Sequence, residues 1–514
     1  MTEDAAGTRR WIAFSCCVLV GLTNEVSGGA LSMSFRDATV DLKASAPLMQ
    51  LVLTLSKLFF GAFMLLGGVL GDSYGRRRVL VLGSAGVVAA SAMAALSATG
   101  TQLAIARALD GLANAAIGPL SLALVMTLFP GERQNRAIAL FLGLSALGIA
   151  LGPLLAGAVI QAFGWRAGFA MPALVAAVGG LGVRLYAPEV RGAERRRLDG
   201  LGALGVSVAL LGLVFAVIGA NNEGWGHPRV LQSLGVGAGA LAGFVWWERR
   251  VAHPLLDLSL FRSRALNAAL LNGLLLALVM GGAILPLLYF FRNVKGLAPV
   301  PALLHIVPLV VAAALCSPAA GNLLERHGAR PVIIGGLALV AAGSEGLAFL
   351  RPETPYAAVL LSLVLIGAGN IAVVTSVTAI VIESLPPERA GSAAALNNAA
   401  AQVGGALGAA ILTGAFLDTA RSEYFARLTP LGLPVEKIRE ITRAWRAAVA
   451  ESVNAGSRIL PAGMEDQFES AFRVAFTMGV ARVFAIGALV ATACAVLTWY
   501  GVGARLAAGK PVKP

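Results

Sequence analysis

The sequence predicts an all-α membrane protein of about fourteen transmembrane helices, built as two pseudo-symmetric six-helix bundles with two further helices inserted between them. Three observations predict it: a composition too apolar for a water-soluble body, a succession of apolar runs long enough to cross a bilayer, and motifs that recur in the same order in both halves.

Of 514 residues, 57% are hydrophobic and only 13% are charged, and the mean hydropathy is +0.79. Soluble chains carry about 25% charge. A hydrocarbon solvent removes the need for that polar surface. Many of the 61 glycines lie inside apolar runs, where small residues let helix backbones approach closely. In a soluble helix each would cost about 1 kcal/mol against alanine. The formal net charge of +13 would suggest nucleic acid in a soluble protein; here the placement of the charges matters more, and no nucleic-acid partner is expected. Cys16, Cys17, Cys316 and Cys494 all sit in apolar runs and read as packing residues, with no disulfide framework or metal spacing. No G-x-x-x-x-G-K-[ST] loop is present, so the chain is not expected to hydrolyse ATP. No His or Cys cluster converges on a metal or nucleophile, so neither an enzyme nor a cofactor is expected.

Runs of the required length, about 20 residues, fall near 11–33, 47–70, 79–99, 102–129, 137–160, 168–187, 200–220, 230–247, 265–291, 300–323, 331–350, 356–383, 392–417 and 477–501. The first run, Trp11 to Phe35, is longer than a signal-peptide core, contains Asn24 and Glu25, and has no small-residue cleavage pattern after it. It is kept as a mature span. An even number of spans puts both termini on one side, expected to be cytoplasmic, in the plasma (inner) membrane. The turns assigned to that side hold 21 basic residues, including Arg9, Arg10, Arg76, Arg77, Arg78, Arg133, Arg136, Arg249 and Arg250, against 7 in the short loops opposite. A wrong span count would scramble that alternation. The charged stretch at about 418–476 is expected to face outward, with a short amphipathic helix marked by Ile438, Ile441, Trp445 and Val449.

The two halves repeat. Gly68-Val69-Leu70-Gly71-Asp72-Ser73-Tyr74-Gly75-Arg76-Arg77-Arg78 follows span 2, and Gly321-Asn322-Leu323-Leu324-Glu325-Arg326-His327-Gly328-Ala329-Arg330 follows span 10. Each reads as small residue, acid, Gly, Arg at a tight helix-to-helix turn, the acid free to pair with arginines or cap a helix. Pro130-Gly131-Glu132-Arg133 and Pro387-Glu388-Arg389 precede spans 5 and 13. Within those spans lie Gly148-x-x-x-Gly152-Pro153-x-x-Ala156-Gly157 and Gln402-Val403-Gly404-Gly405-Ala406-Leu407-Gly408. These pairs match if residues 1–190 form one bundle, 191–262 the inserted pair with its linkers, and 263–514 the other bundle. Repeated halves around a midplane site are a transporter plan.

At these residues the chain resembles the major facilitator superfamily, specifically its fourteen-span drug:proton antiporter branch, over nearly its whole length. Asp72, Gly75, Arg76 and Arg77 look like the family's gating motif between spans 2 and 3, with Ser73 where a basic residue is usual. Glu325, Arg326 and Arg330 are its counterpart in the second half. Arg107-Ala108-Leu109-Asp110-Gly111 resembles the fourth-span motif, and Gly148, Gly152, Pro153 and Gly157 the fifth-span antiporter motif, which points to export rather than uptake. Trp247-Glu248-Arg249-Arg250 with His253-Pro254-Leu255 resembles the junction after span 8. One departure stands out: where the branch has an Asp in span 1, this chain has Thr23, with Glu25 two residues on.

Charges at bilayer depth need a partner or a purpose. Glu25 has no other charged partner in its own span; its carboxyl reads either as an exchange site, where a proton and a cationic substrate compete, or as a packing group. Arg107 and Asp110, at i and i+3, share a helix face and read as a mutual ion pair or as part of proton coupling. Asn24, Asn114, Asn272, His305, Asn398 and Gln402 read as cavity lining or as inter-helix glue. The resemblance implies alternating access around a cavity lined by spans such as 1, 4, 5, 9 and 13, driven by the proton gradient, with amphipathic or cationic drugs and toxic compounds as small-molecule substrates. A dedicated exporter of one endogenous metabolite, antibiotic or lipid is the first alternative, and a non-transporting membrane sensor the second. A periplasmic adaptor stays open as a partner.

Overall fold

The computed structural model describes residues 3–44, 46–191, 199–251, 258–385, 390–429 and 465–502. Fourteen helices among them are long and apolar enough to cross a membrane. The first bundle comprises span 1 (Gly7–Phe35), span 2 (Leu51–Tyr74), span 3 (Arg76–Ala95), span 4 (Gly100–Leu128), span 5 (Gln134–Phe163) and span 6 (Trp165–Tyr186). Span 7 (Gly200–Val217) and span 8 (Pro228–Glu248) follow. The second bundle comprises span 9 (Arg264–Val294), span 10 (Val300–His327), span 11 (Ala329–Ala348), span 12 (Tyr356–Glu383), span 13 (Ala393–Leu428) and span 14 (Asp466–Gly501). Helices are the local solution because hydrocarbon offers no partner to an unpaired backbone N–H or C=O.

The repeat in the sequence is a repeat in packing. Spans 2 and 4, 3 and 4, 3 and 6, 1 and 5, and 1 and 6 pair in the first bundle; spans 10 and 12, 11 and 12, 11 and 14, 9 and 13, and 9 and 14 pair in the second. The two turns after spans 2 and 10 share a conformation: Gly75 has φ +111° and Gly328 has φ +80°, values that a side chain resists. The glycines of spans 5 and 13 also do one job. A Cβ on Gly152 would lie 2.7 Å from the Glu25 carbonyl of span 1, and one on Gly408 would lie 1.8 Å from the Leu278 carbonyl of span 9. Each glycine admits a neighbouring backbone that alanine would exclude.

Span 7 straddles the seam between bundles, touching spans 2 and 13, and the Ser207 hydroxyl donates to the Ala62 carbonyl at 2.8 Å. Span 8 packs principally on span 7. The close cross-bundle approaches made by described glycines lie at mid-span or at the face bearing the Arg-rich turns. A Cβ on Gly61 would sit 3.6 Å from Gln402, on Gly143 2.6 Å from Ser317, and on Gly321 2.7 Å from the Arg136 Cα.

The segment between spans 13 and 14 is shorter than the expected 418–476. Span 13 continues to Leu428 and the span 14 helix begins at Glu465. Aromatic packing sustains both helices: Tyr424, Leu428, Phe468 and Phe472 are buried together, with Phe472 stacked on Phe476 at 4.3 Å. The expected amphipathic helix around Trp445, the Pro387-Glu388-Arg389 motif and His253-Pro254-Leu255 lie outside the described residues. At the same face of the first bundle, the Arg166 guanidinium donates to Asp41 and to the Ser97 carbonyl (3.1 Å), and the Trp165 indole donates to Asp41 at 3.1 Å. The Arg166 hydrogen bond, followed by that from Trp165, holds the Asp41 carboxyl below its ordinary pKa.

Candidate functional site

Span 1 is not one smooth helix: Glu3–Gly21 gives way at Leu22 to Thr23–Asp41. The Thr23 hydroxyl lies 2.7 Å from the Val20 carbonyl, a local bond that competes with the helical ladder. Immediately past this break, residues 23–27 present two faces, because positions two apart on a helix point about 200° from each other.

One face carries Thr23 and Ser27 and meets span 4. There Asp110 is enclosed by donors from three helices. Ser27 of span 1 and Ser56 of span 2 donate to Oδ2 at 2.9 and 2.8 Å, Arg107 Nη1 donates to the same oxygen at 2.9 Å, and Asn114 Nδ2 donates to Oδ1 at 3.1 Å. Arg107 also donates to the Ser27 hydroxyl. Asn114 Oδ1 lies 2.7 Å from Thr23 Oγ1. All six residues are at most 3% exposed. Gly111 makes the meeting possible, since a Cβ there would stand 2.2 Å from the Ser56 carbonyl. The cluster is deeply buried, and within it the buried Arg107 Nε has no hydrogen-bond partner.

The other face carries Glu25 and meets span 5. A Cβ on Gly148 would lie 3.2 Å from Glu25 Cβ, and one on Gly29 would lie 2.4 Å from the Pro153 nitrogen. Gly148, Gly152 and Pro153 therefore form the surface against which the Glu25 turn seats, with Gly157 one turn further against Met33. Glu25 is half-buried and accepts from Asn24 Nδ2 at 3.0 Å. Thr23 thus faces span 4, where the carboxylate is that of Asp110, and Glu25, two positions on, faces span 5.

The turn after span 2 is tied down by charge. Arg76 pairs with Asp72 at 3.0 Å and reaches the Thr127 hydroxyl at 3.3 Å, while Arg77 lies 3.5 Å from Glu189 beyond span 6. Its counterpart differs. Arg330 donates to the Trp499 carbonyl at 2.8 Å and stacks over the Trp499 ring at 4.3 Å. Among the described residues Glu325 makes no ion pair with Arg326 or Arg330, and Glu325 Oε1 is unpartnered. The indole of span 14 competes for the arginine.

The second-half candidates separate. Asn272 is fully buried and donates to Thr498 at 2.9 Å, so it joins spans 9 and 14 rather than lining a cavity. His305 sits at a break in span 10 between helices Pro299–Leu304 and Val307–His327, with its ring 4.5 Å from Tyr356. Gln402 and Asn398 are half-buried on span 13, and Gln402 faces Gly61 across the bundle seam. Sequence reasoning did not single out Ser27 and Ser56; the i, i+4 pairing of Thr23 with Ser27 and of Asp110 with Asn114 was the available signal.

The family description Major Facilitator Superfamily matches residues 13–409. The tetracenomycin C resistance and export protein of Streptomyces glaucescens is 30% identical over 465 residues, covering 89% of this chain and 86% of that protein. The multidrug efflux pump LfrA of Mycolicibacterium smegmatis is 29% identical over 497 residues, covering 95% of both. The solved structure of the proton:xylose symporter XylE superposes with a TM-score of 0.59 at 14% identity, covering 98% of both chains, which shows a shared fold.

Proposed function

The chain belongs to the major facilitator superfamily, and from that premise we propose that it exports amphipathic or cationic drugs by proton-coupled alternating access, with Asp110 as the proton-carrying group, Arg107 as its counter-charge and Glu25 as a second acid facing the substrate path. The observation that carries the reading is the enclosure of Asp110. Its carboxylate accepts from spans 1, 2 and 4 at once. A proton on Asp110 turns an accepting oxygen into a donor, so at least one of those bonds must be given up. It also leaves the Arg107 charge, 3% exposed, without its anion, and a lone buried charge is costly. Proton binding therefore favours a different placement of span 1 against span 4, and the glycine seam of span 5 carries that movement to the Glu25 turn.

In the orientation expected from the basic residues, both termini are cytoplasmic in the plasma membrane, and the bundles are closed on the cytoplasmic side. Protons then enter from outside and leave inward as substrate moves out. One charge crossing about 100 mV is worth about 2.3 kcal/mol, so one proton per cycle sustains roughly a 40-fold gradient of a neutral substrate, whereas exchange for a monovalent cation moves no net charge and draws on the pH difference alone. Export of one antibiotic rather than many is favoured by the similarity to proteins named for a single compound, such as tetracenomycin C or puromycin. A resistance panel separates the two: protection against several unrelated compounds supports the broad reading, and protection against one supports the narrow.

The decisive experiment is transport by the purified chain in vesicles under an imposed pH gradient. Asp110→Asn is expected to abolish proton-driven flux while leaving substrate binding measurable. Unchanged flux in that variant overturns the assignment of Asp110, and unchanged flux in Glu25→Gln removes Glu25.

A further inference from the structure

The inserted span 8 presents a face that no described residue covers. Val230, Gly237, Phe244 and Glu248 are buried toward span 7. On the far side Gly235, Gly239 and Gly243 have no neighbour within 4 Å of an added Cβ. Beside them a groove of about 620 Å³ runs along Ala238, Leu241, Ala242 and Val245 and ends at Trp246, Arg249 and Arg250. Trp246 is 54% exposed, and the Arg250 guanidinium lies over its ring at 4.3 Å. Neither Arg249 nor Arg250 has a carboxylate within ion-pair distance among the described residues. Two described acids nearby are turned inward: Asp199 takes the Trp247 indole N–H at 2.9 Å, and Glu248 is buried.

The geometry points to a binding site for one anionic phospholipid, with an acyl chain along Ala238–Ala242 and the phosphate on Arg249 and Arg250. Depth supports this occupant. Span 8 has 21 residues, about 31 Å of helix, which matches a hydrocarbon core of about 30 Å. Arg249 and Arg250 therefore sit where phosphates lie, with Trp246 at the interfacial level where indoles concentrate. An arginine fork matches phosphate oxygens in geometry as well as charge. A second copy of the chain fits worse. A two-fold contact through this face would bring Arg249 and Arg250 of both copies to the same depth with no acid between them. The inference does not depend on the export reading.

The test is native mass spectrometry of the full chain released from detergent with added phosphatidylglycerol or phosphatidylcholine. The native chain is expected to retain one phosphatidylglycerol in preference to phosphatidylcholine by about 30-fold, from two basic contacts at the surface. Arg249→Gln/Arg250→Gln should erase the preference, and Arg249→Lys/Arg250→Lys should keep most of it, which separates charge from misfolding. Ala242→Phe, which fills the groove, should weaken retention of both lipids. Equal retention of the two lipids by the native chain, or an undiminished preference in the glutamine variant, overturns the proposal. So does full competition by glycerol phosphate without acyl chains, which would mark a soluble-anion site, or a dimer strengthened by the glutamine substitutions, which would mark a protein contact.

Discussion

The two bundles share a packing plan and differ in what they bury. In the first, every one of the four ion pairs found among the described residues is present, including the Asp110–Arg107 pair at mid-span. In the second, the corresponding interior is joined by neutral bonds such as Asn272 to Thr498 and Asn397 to Thr378 at 3.0 Å, and the end away from the Arg-rich turns by aromatic contacts. The glycine seams make the contrast specific. Gly152 of span 5 seats against Glu25, whereas Gly408 of span 13 seats against Leu278. The same mechanical joint thus has an acid on one side of the molecule and a leucine on the other. On the proposed reading, the proton chemistry belongs to the first bundle alone.

The contrast is tested most strongly at its charged centre. Asp110→Asn should lower unfolding stability by about 3–5 kcal/mol, because it strands the Arg107 guanidinium in a buried site. Adding Arg107→Gln should return part of that stability without returning proton-driven flux. The second bundle's counterpart, Asn272→Ala, should cost only about 1–3 kcal/mol for the broken neutral bond and leave the pH dependence of transport unaltered. Thermal unfolding in detergent and vesicle flux read both. If the two substitutions had similar effects on coupling, the assignment of proton chemistry to the first bundle would be wrong.

At the joints, Gly152→Ala and Gly408→Ala should each destabilise by about 1–3 kcal/mol through overpacking, while Gly405→Ala, with its nearest atom at 3.9 Å, should be silent. Only Gly152→Ala should also alter transport of cationic relative to neutral substrates, since it displaces the Glu25 turn. At the tight turns, Arg77→Gln should cost at most about 1 kcal/mol and lose its effect at high salt, as partly exposed ion pairs do. Arg330→Gln, which loses a carbonyl contact and an indole stack, should be less sensitive to salt.

The smallest effect is expected at the clasp of Asp41 with Arg166 and Trp165. The Asp41 carboxyl is held below its ordinary pKa by Arg166 first and Trp165 second. A depressed acid contributes stability above its unfolded value, and that contribution is lost as pH falls through the folded value. The difference in thermal midpoint between the native chain and Asp41→Asn should therefore be full at neutral pH and shrink as pH falls below the ordinary value of 3.8 and through the lower folded value. A difference that persists in acid would show that the clasp acts through shape and not charge.

Length, hydropathy and the distribution of arginines were enough to count the spans and to pair the halves, because hydrocarbon imposes one rule on every segment: about 20 apolar residues with an internally bonded backbone. The same information named Asp110, Arg107, Glu25 and the span 5 glycines, since a charge or a glycine run at bilayer depth is conspicuous. Periodicity also implied that Glu25 and Thr23 point apart. Which neighbour each face meets was decided by tertiary packing. Gly111 lets span 2 bring Ser56 to Asp110, Gly148 and Gly152 bring span 5 to Glu25, and Trp499 draws Arg330 away from Glu325. Helix period sets the angle between two side chains on one helix. The partner across the gap depends on contacts between segments far apart in the chain, and no local pattern encodes those.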